Sequence, residues 1–230
     1  MIGIIGAMDI EVDSLKKEMV NPQIITAAGM DFYCGMIYEK EAVVVKCGIG
    51  KVNAAICMQI LADKFNVSAV INTGVAGSLN NDIDICDIVI STMAQEHDMD
   101  VTPLGYQKGI IPGMKTSVFM ADKRLIELTR KSADLAGLGV KLFEGKIVSG
   151  DSFIGNHHDK EVLRAGFNGE CAEMEGAAVA HAAVLNGIPF LIIRAISDKA
   201  DGGAEMDYPA FEKKAAANSI ALLKEMIKNY

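Results

Sequence analysis

The chain has no tryptophan, and aromatic residues make up only 6% of its 230 residues. Stacking platforms for single-stranded nucleic acid are therefore scarce. A core must come from aliphatic side chains and the 13 methionines, a composition that suits a sheet covered by helices. Positive charge is in deficit: 22 Lys and Arg against 30 Asp and Glu give a formal net charge of −8. This excludes the basic footprint of a nucleic-acid binder and the polybasic patch of a membrane-surface protein. No apolar run is long enough to span a bilayer. The opening Met1-Ile-Gly-Ile-Ile-Gly6 lacks the basic and long apolar regions of a secretion signal. The five cysteines, Cys34, Cys47, Cys57, Cys86 and Cys171, are odd in number and show no C-x-x-C spacing. They are expected as buried, reduced thiols of a cytoplasmic protein, not as a disulfide or zinc framework. No motif in the chain asks for a metal or a cofactor.

Half of the residues are hydrophobic and 23% are charged, which favours a packed core over disorder. There is no internal repeat and no Pro/Ser-rich linker, so residues 1–230 are expected to form one domain. Short apolar runs bounded by Gly, Asn and Asp alternate with helical periodicity. Strands are predicted at Ile2–Ile5, Ile24–Ala27, Asp31–Ile37, Ala42–Lys46, Ala69–Asn72, Asp87–Ser91, Lys141–Ser149 and Phe190–Ile196. Helices are predicted at Asp9–Met19, Lys51–Phe65, Asp122–Ala136, Glu175–Asn186 and from about Tyr208 to Lys228. This order implies an α/β protein with a mixed sheet between helices. An irregular stretch from Glu96 to Thr116 carries Pro103, Gly105, Pro112 and Gly113. Loops of that length usually serve a site, a lid or a subunit contact.

Four strand ends look specialised, and in open α/β sheets such ends converge on ligands. Gly3-Ile-Ile-Gly6-Ala-Met-Asp9-Ile-Glu11 runs from a strand through a tight turn into a helix. Its Glu11 is either a helix-dipole partner or a base held at the sheet edge. In Asn72-Thr-Gly74-Val75-Ala76-Gly77-Ser78, glycines after a buried strand form either a plain turn or a backbone surface for a ligand. Glu173-Met174-Glu175 starts an apolar helix. It offers a helix cap or a bidentate acceptor for vicinal sugar hydroxyls beside an apolar wall. Arg194-Ala-Ile-Ser197-Asp198 ends a fully apolar strand, where charge is costly unless it is paired or functional. A structural Arg194–Asp198 pair is the plainer alternative.

Other polar clusters weigh less. Glu96-His97-Asp98-Met-Asp100 has metal-ligand residue types, but consecutive ligands rarely close a site, and a solvated loop is expected. His157-His158 is expected in a surface turn, and His181 as a satisfied core histidine. No Cys-His arrangement suggests a thiol nucleophile.

Together these segments resemble the 5′-methylthioadenosine/S-adenosylhomocysteine nucleosidases. G-I-I-G-A-M, G-I-G-K-V-N-A-A, I-N-T-G-V-A-G, V-S-G-D-S-F-I, A-E-M-E-G-A and R-A-I-S-D occur in the family's order across essentially the whole chain. The resemblance implies a nucleoside phosphorylase-like fold, a three-layer α/β/α sandwich with a central mixed sheet, and a homodimer. It implies hydrolysis of the N-glycosidic bond of adenosine thioethers without a cofactor. By position, Glu11 would activate water and Asp198 would protonate N7 of adenine. Arg194 and Ser197 would support the water and Asp198. Glu175 would bind the ribose hydroxyls with Met174 packed on the sugar, and Glu173 lies beside them. Phe153 and Ile154 would hold adenine, and the backbone of Val75, Ala76 and Gly77 would face the ligand. Met8, Ile49 and Tyr208 would line the sugar and 5′ end. Val101, Leu104 and Pro112 match positions that reach a neighbouring subunit's 5′ pocket. The chain departs from common family residues in having Val75 for Ser, Tyr208 for Phe and Leu104 for Phe.

The alternatives are a purine nucleoside phosphorylase and a non-catalytic nucleoside-binding protein. A phosphorylase needs cations around the sugar face. The first helical turn offers Asp9, Glu11 and Asp13 and no Arg, with Lys51 and Arg194 the only nearby candidates, so water is favoured. A non-catalytic binder would lack the base and acid that Glu11 and Asp198 supply. Incubation with adenosine thioethers should release free sugar at a rate indifferent to phosphate. A phosphate-dependent rate yielding sugar 1-phosphate would reverse the assignment.

Overall fold

A computed structural model describes residues 1–230, apart from the side chains of residues 205 and 206. Ten strands form one mixed sheet: β1 (Ile2–Gly6), β2 (Val20–Ala27), β3 (Met30–Ile37), β4 (Lys40–Lys46), β5 (Ala69–Ser78), β6 (Ile88–Glu96), β7 (Phe119–Met120), β8 (Leu142–Ser149), β9 (Gly169–Glu173) and β10 (Phe190–Asp198). Six helices accompany them: α1 (Asp9–Glu18), α2 (Lys51–Phe65), α3 (Lys123–Ala136), α4 (His157–Phe167), α5 (Gly176–Leu185) and α6 (Ala204–Lys228). β1 lies parallel to both β4 and β5, and β2, β3 and β4 form the expected antiparallel meander. The other half of the sheet curls on itself. β5 pairs with β10, β10 with β6, β6 with β8, β8 with β9, and β9 returns to the end of β5.

The core is aliphatic, as the missing tryptophan requires. β1, β5 and β10 contribute Ile4, Ile71, Leu191 and Ile193, all fully buried. Such strands have both faces covered, so their sequences read as continuous apolar runs. α6 packs on β10 and β5 and against α1 and α3, while α2 and α5 pack on each other. The small residues of α5 permit that approach: Ala177, Ala180 and Ala183 are fully buried. Among the described residues, no helix is long and apolar enough to cross a membrane.

Four local features depart from expectation. His157 and His158 do not sit in a surface turn; they open α4, capped by the Asn156 side chain, which accepts the Asp159 N–H at 2.9 Å. The buried apolar side of that helix is confined to Leu163 and Phe167, too thin to stand out in the sequence. The short β9 was not expected either. The Gly74–Gly77 segment is not a turn, because β5 continues through it to Ser78 beside β10. α6 also begins at Ala204, a turn before its apolar periodicity does.

Candidate active site

The carboxyl ends of β1, β5, β9 and β10 surround a cavity of about 280 Å³. Glu11, Glu173, Glu175 and Asp198 line it, together with Met8, Ile49, Val75, Ala76, Gly77, Phe153, Met174, Ser197 and Tyr208. Each of the four sequence motifs reaches this one place. Ala7 and Ala172 also line it. Neither carries a polar side chain, so no chemical signal marked them in the sequence.

Glu11 occupies the third position of α1. Its Oε2 accepts the N–H groups of Ala7 at 2.7 Å and Met8 at 3.0 Å, and Oε1 accepts the Val75 N–H at 3.2 Å. It is thus both the helix-capping acid and a cavity carboxylate. Burial raises its pKa, against the pull of Arg194 and the three N–H donors. The reason for Gly74 is steric. A Cβ there would lie 2.6 Å from Glu11 Oε1, and one at Gly77 would lie 2.7 Å from Asp198 Oδ1. These glycines let two carboxylates lie against the backbone of a central strand.

Arg194 does not reach the cavity. It is 1% exposed and lies beneath the floor. Its guanidinium donates to Asn72 Oδ1 at 2.5 Å, to the Ile193 carbonyl at 3.1 Å and to Glu173 Oε2, with Glu175 Oε2 at 3.9 Å. The expected alternative of an Arg194–Asp198 pair is not formed: the guanidinium's carboxylate partners are Glu173 and Glu175. Burial opposes the Arg194 charge, but Glu173, Glu175 and Glu11 outweigh it and raise its pKa.

Glu173 holds the start of α5. It accepts from the Ser149 hydroxyl, the Glu175 N–H at 3.1 Å and the Gly176 N–H at 2.8 Å. Glu175 is left facing the cavity, taking the Gly50 N–H at 2.8 Å. Burial, followed by the nearby Glu173 charge, raises the Glu175 pKa from 4.5 to about 7. Asp198 accepts the Ser197 hydroxyl at 2.9 Å and the Ala200 N–H at 2.8 Å. Burial also raises its pKa, with those two hydrogen bonds acting in the opposite direction.

Phe153 is 52% exposed at the rim and meets Tyr208 edge-on at 5.8 Å between ring centres. The Tyr208 hydroxyl points at Met8 Sδ, 3.4 Å away. Ile154 turns from the cavity and packs against the apolar group of Leu79, Val148, Leu163 and Phe167. Val101, Leu104 and Pro112 do not line the cavity of this chain. Leu104 sits in a short 3-10 turn with 74% of its surface exposed.

The acidic segment that begins with the last residue of β6 is not a solvated loop. Glu96 and His97 are buried, and Glu96 binds the Lys51 ammonium at 2.9 Å and His181 Nδ1 at 3.0 Å. His181 is therefore satisfied, though half-exposed, and it stacks on Phe119. Lys51 also donates to Asp98 at 2.6 Å. Among the described residues, no group of three or more His, Cys, Asp or Glu is placed to hold a metal ion. Four of the cysteines are buried and Cys34 is half-buried.

Residues 1–228 match the family model of the phosphorylase superfamily. The 5′-methylthioadenosine/S-adenosylhomocysteine nucleosidase of Staphylococcus saprophyticus is 43% identical over 99% of both chains, and that of Staphylococcus aureus 40% identical over 99% of both. The Neisseria meningitidis enzyme of the same name, solved in complex with methylthio-immucillin-A, superposes with a TM-score of 0.95 at 36% identity over 100% of this chain and 99% of that one.

Two outcomes follow from the geometry. Gly74→Ala should push the Glu11 carboxylate from its place, and turnover should fall about 100-fold, the scale of a misplaced reacting group. Thermal unfolding in parallel should show a folded protein. The second concerns Glu175, whose folded pKa lies above its unfolded value. Its contribution to stability is fully present below about 4.5 and is lost as pH rises through about 7. Glu175→Gln should therefore raise the melting temperature relative to the parent above neutrality, with the gain vanishing toward acid pH.

Proposed function

The chain belongs to the 5′-methylthioadenosine/S-adenosylhomocysteine nucleosidase family of the phosphorylase superfamily, and we propose from this membership and the acid-lined cavity that it hydrolyses the N-glycosidic bond of adenosine thioethers to adenine and the 5-thioribose. The observation that carries the choice of water over phosphate is the cavity wall. Four carboxylates line it, and among the described residues no Lys or Arg does. Lys51 is held by Glu96 and Asp98. Arg194 is buried behind Glu173 and Asn72. A phosphate dianion would meet negative charge without a free cation to receive it.

The chemistry asks for carboxylates. Breaking the bond leaves positive charge on the ribose and negative charge on the purine. Glu11 takes a proton from the water whose oxygen attacks C1′. Asp198 gives its proton to N7 as the base departs with the bonding electrons. These roles need opposite protonation states; burial raises the pKa of both groups, and they differ in how many donors favour the charged form. Glu11 receives three N–H donors and the field of Arg194. Asp198 has a single N–H and a hydroxyl, and Asp201 and Asp207 push its pKa further up. Glu175 takes the ribose hydroxyls, with Met174 against the sugar. Phe153 stacks on adenine and the Ile154 backbone fixes its edge. Met8, Ile49 and Tyr208 enclose the sugar and 5′ group. Val75, Ala76 and Gly77 offer backbone, and Ser197 orients Asp198.

The exposed Leu104 and the neighbouring Val101 and Pro112 complete the 5′ pocket of a second copy in a homodimer. The whole chain acts as one domain, in the cytoplasm. Glu11→Gln should lower kcat by about 10²–10⁴-fold while adenine binding, followed by calorimetry, persists. The parent should give a bell-shaped kcat/KM profile whose acid limb belongs to Glu11 and whose basic limb belongs to Asp198. Unchanged turnover in the Glu11 variant would remove it as the base.

A further inference from the structure

Lys160, on α4, is the one lysine of the described residues that is buried, at 2% exposure, and the chemistry above does not use it. Burying an ammonium is costly unless its surroundings offset the lost hydration. Lys160 Nζ donates to the Lys199 carbonyl at 2.8 Å. That carbonyl shares a peptide unit with the Ala200 N–H, which donates to Asp198 Oδ1 at 2.8 Å. One peptide group is therefore held at both ends, by an ammonium on its oxygen and by the cavity carboxylate on its hydrogen.

This peptide does not hold itself in place. Ala200 has a φ of +50°, a left-handed conformation that is unfavourable for a residue with a Cβ. The space around it is tight, since a Cβ at Gly77 would lie 3.0 Å from Ala200 Cβ. The outer side of the same turn is tied by Lys199 Nζ, which donates to the Ile83 carbonyl at 2.6 Å and to Asp84 at 3.0 Å. A rotated 199–200 peptide would present a carbonyl in place of an N–H to Asp198, which would then lose its backbone donor.

We infer that Lys160 is a positioning residue for Asp198, fixing and polarising the 199–200 peptide so that the Ala200 N–H stays on the carboxylate that protonates the leaving base. An ammonium on the carbonyl strengthens the hydrogen bond at the other end of the same peptide. The N–H then supports the carboxylate that forms when Asp198 has given up its proton. Lys160 lies in the field of Asp201, Lys199, Glu161 and Asp198, and Asp198 in that of Asp207, Asp201 and Lys160 itself.

This role rests on the proposed reaction, so the test carries one readout that needs no turnover. Lys160→Met keeps the length and apolarity of the stem and removes the charge and donor. In that variant, the Ala200 amide should exchange with solvent at least about tenfold faster. The kcat should fall about tenfold with KM nearly unchanged, and the basic limb of the pH profile should move upward, because a lost donor disfavours the carboxylate. Lys160→Gln keeps a neutral donor and should fall between, and it serves if the methionine variant does not fold. Parent-like Ala200 exchange with an unmoved basic limb would overturn the inference, even if the melting temperature changed. If the parent releases no adenine from 5′-methylthioadenosine, the proposed reaction fails, and the Ala200 exchange still decides whether Lys160 holds the peptide.

Discussion

The structure depends on a guanidinium buried among carboxylates. Arg194 stands midway along the otherwise apolar first part of β10, and Glu173 touches it while Glu175 and Glu11 add to its field. Three acids so close in a low-dielectric interior would repel one another strongly. One buried cation makes their proximity tolerable, and Asn72 orients it from the neighbouring strand. The cation sits under the floor, so its charge reaches the cavity without offering a docking point for an anion. The same placement that neutralises the acids leaves the wall itself acidic.

A second constraint is distance to backbone. Glu11 and Asp198 lie so close to β5 that any side chain at Gly74 or Gly77 would collide with them. Once there, Glu11 collects N–H donors from the start of α1 and from the strand it crosses. Its job as a helix cap and its place in the cavity are one geometry, not competing descriptions. Glu173 and Glu175 divide the corresponding work at α5: the first caps the helix and meets Arg194, which frees the second to face the cavity.

The loops add a further layer. Lys51 binds Glu96 and Asp98 at the start of α2, and its own N–H donates to Asp151 at 2.8 Å. The segments that carry Gly50 and Phe153 are thus tied to one cluster of ion pairs. Partly buried pairs of this kind hold geometry more than they add stability. The 199–200 turn is held in a similar way, by lysines on both of its sides.

Much of this was readable from residue order. Apolar runs and helical spacing located most strands and helices, because burial on two faces or one stripe leaves a periodic trace. α4 escaped, since its buried side is Lys160, Leu163 and Phe167, and a buried lysine reads as surface. β5 was cut short, since glycines that admit a carboxylate look the same in sequence as glycines that admit a turn. The acidic string at Glu96 read as solvated, since its partners Lys51 and His181 are distant along the chain. By itself the sequence determined the alternation of elements, the aliphatic core and the four specialised strand ends, three of them acidic, all of which are local patterns. Only the tertiary structure decided that Arg194 pairs with Glu173 and not Asp198, that Glu11 reaches the Val75 N–H of β5, and that among the described residues no Lys or Arg lines the cavity. Those outcomes depend on which strands become neighbours, and pairing across the sheet is a long-range choice that local periodicity does not encode.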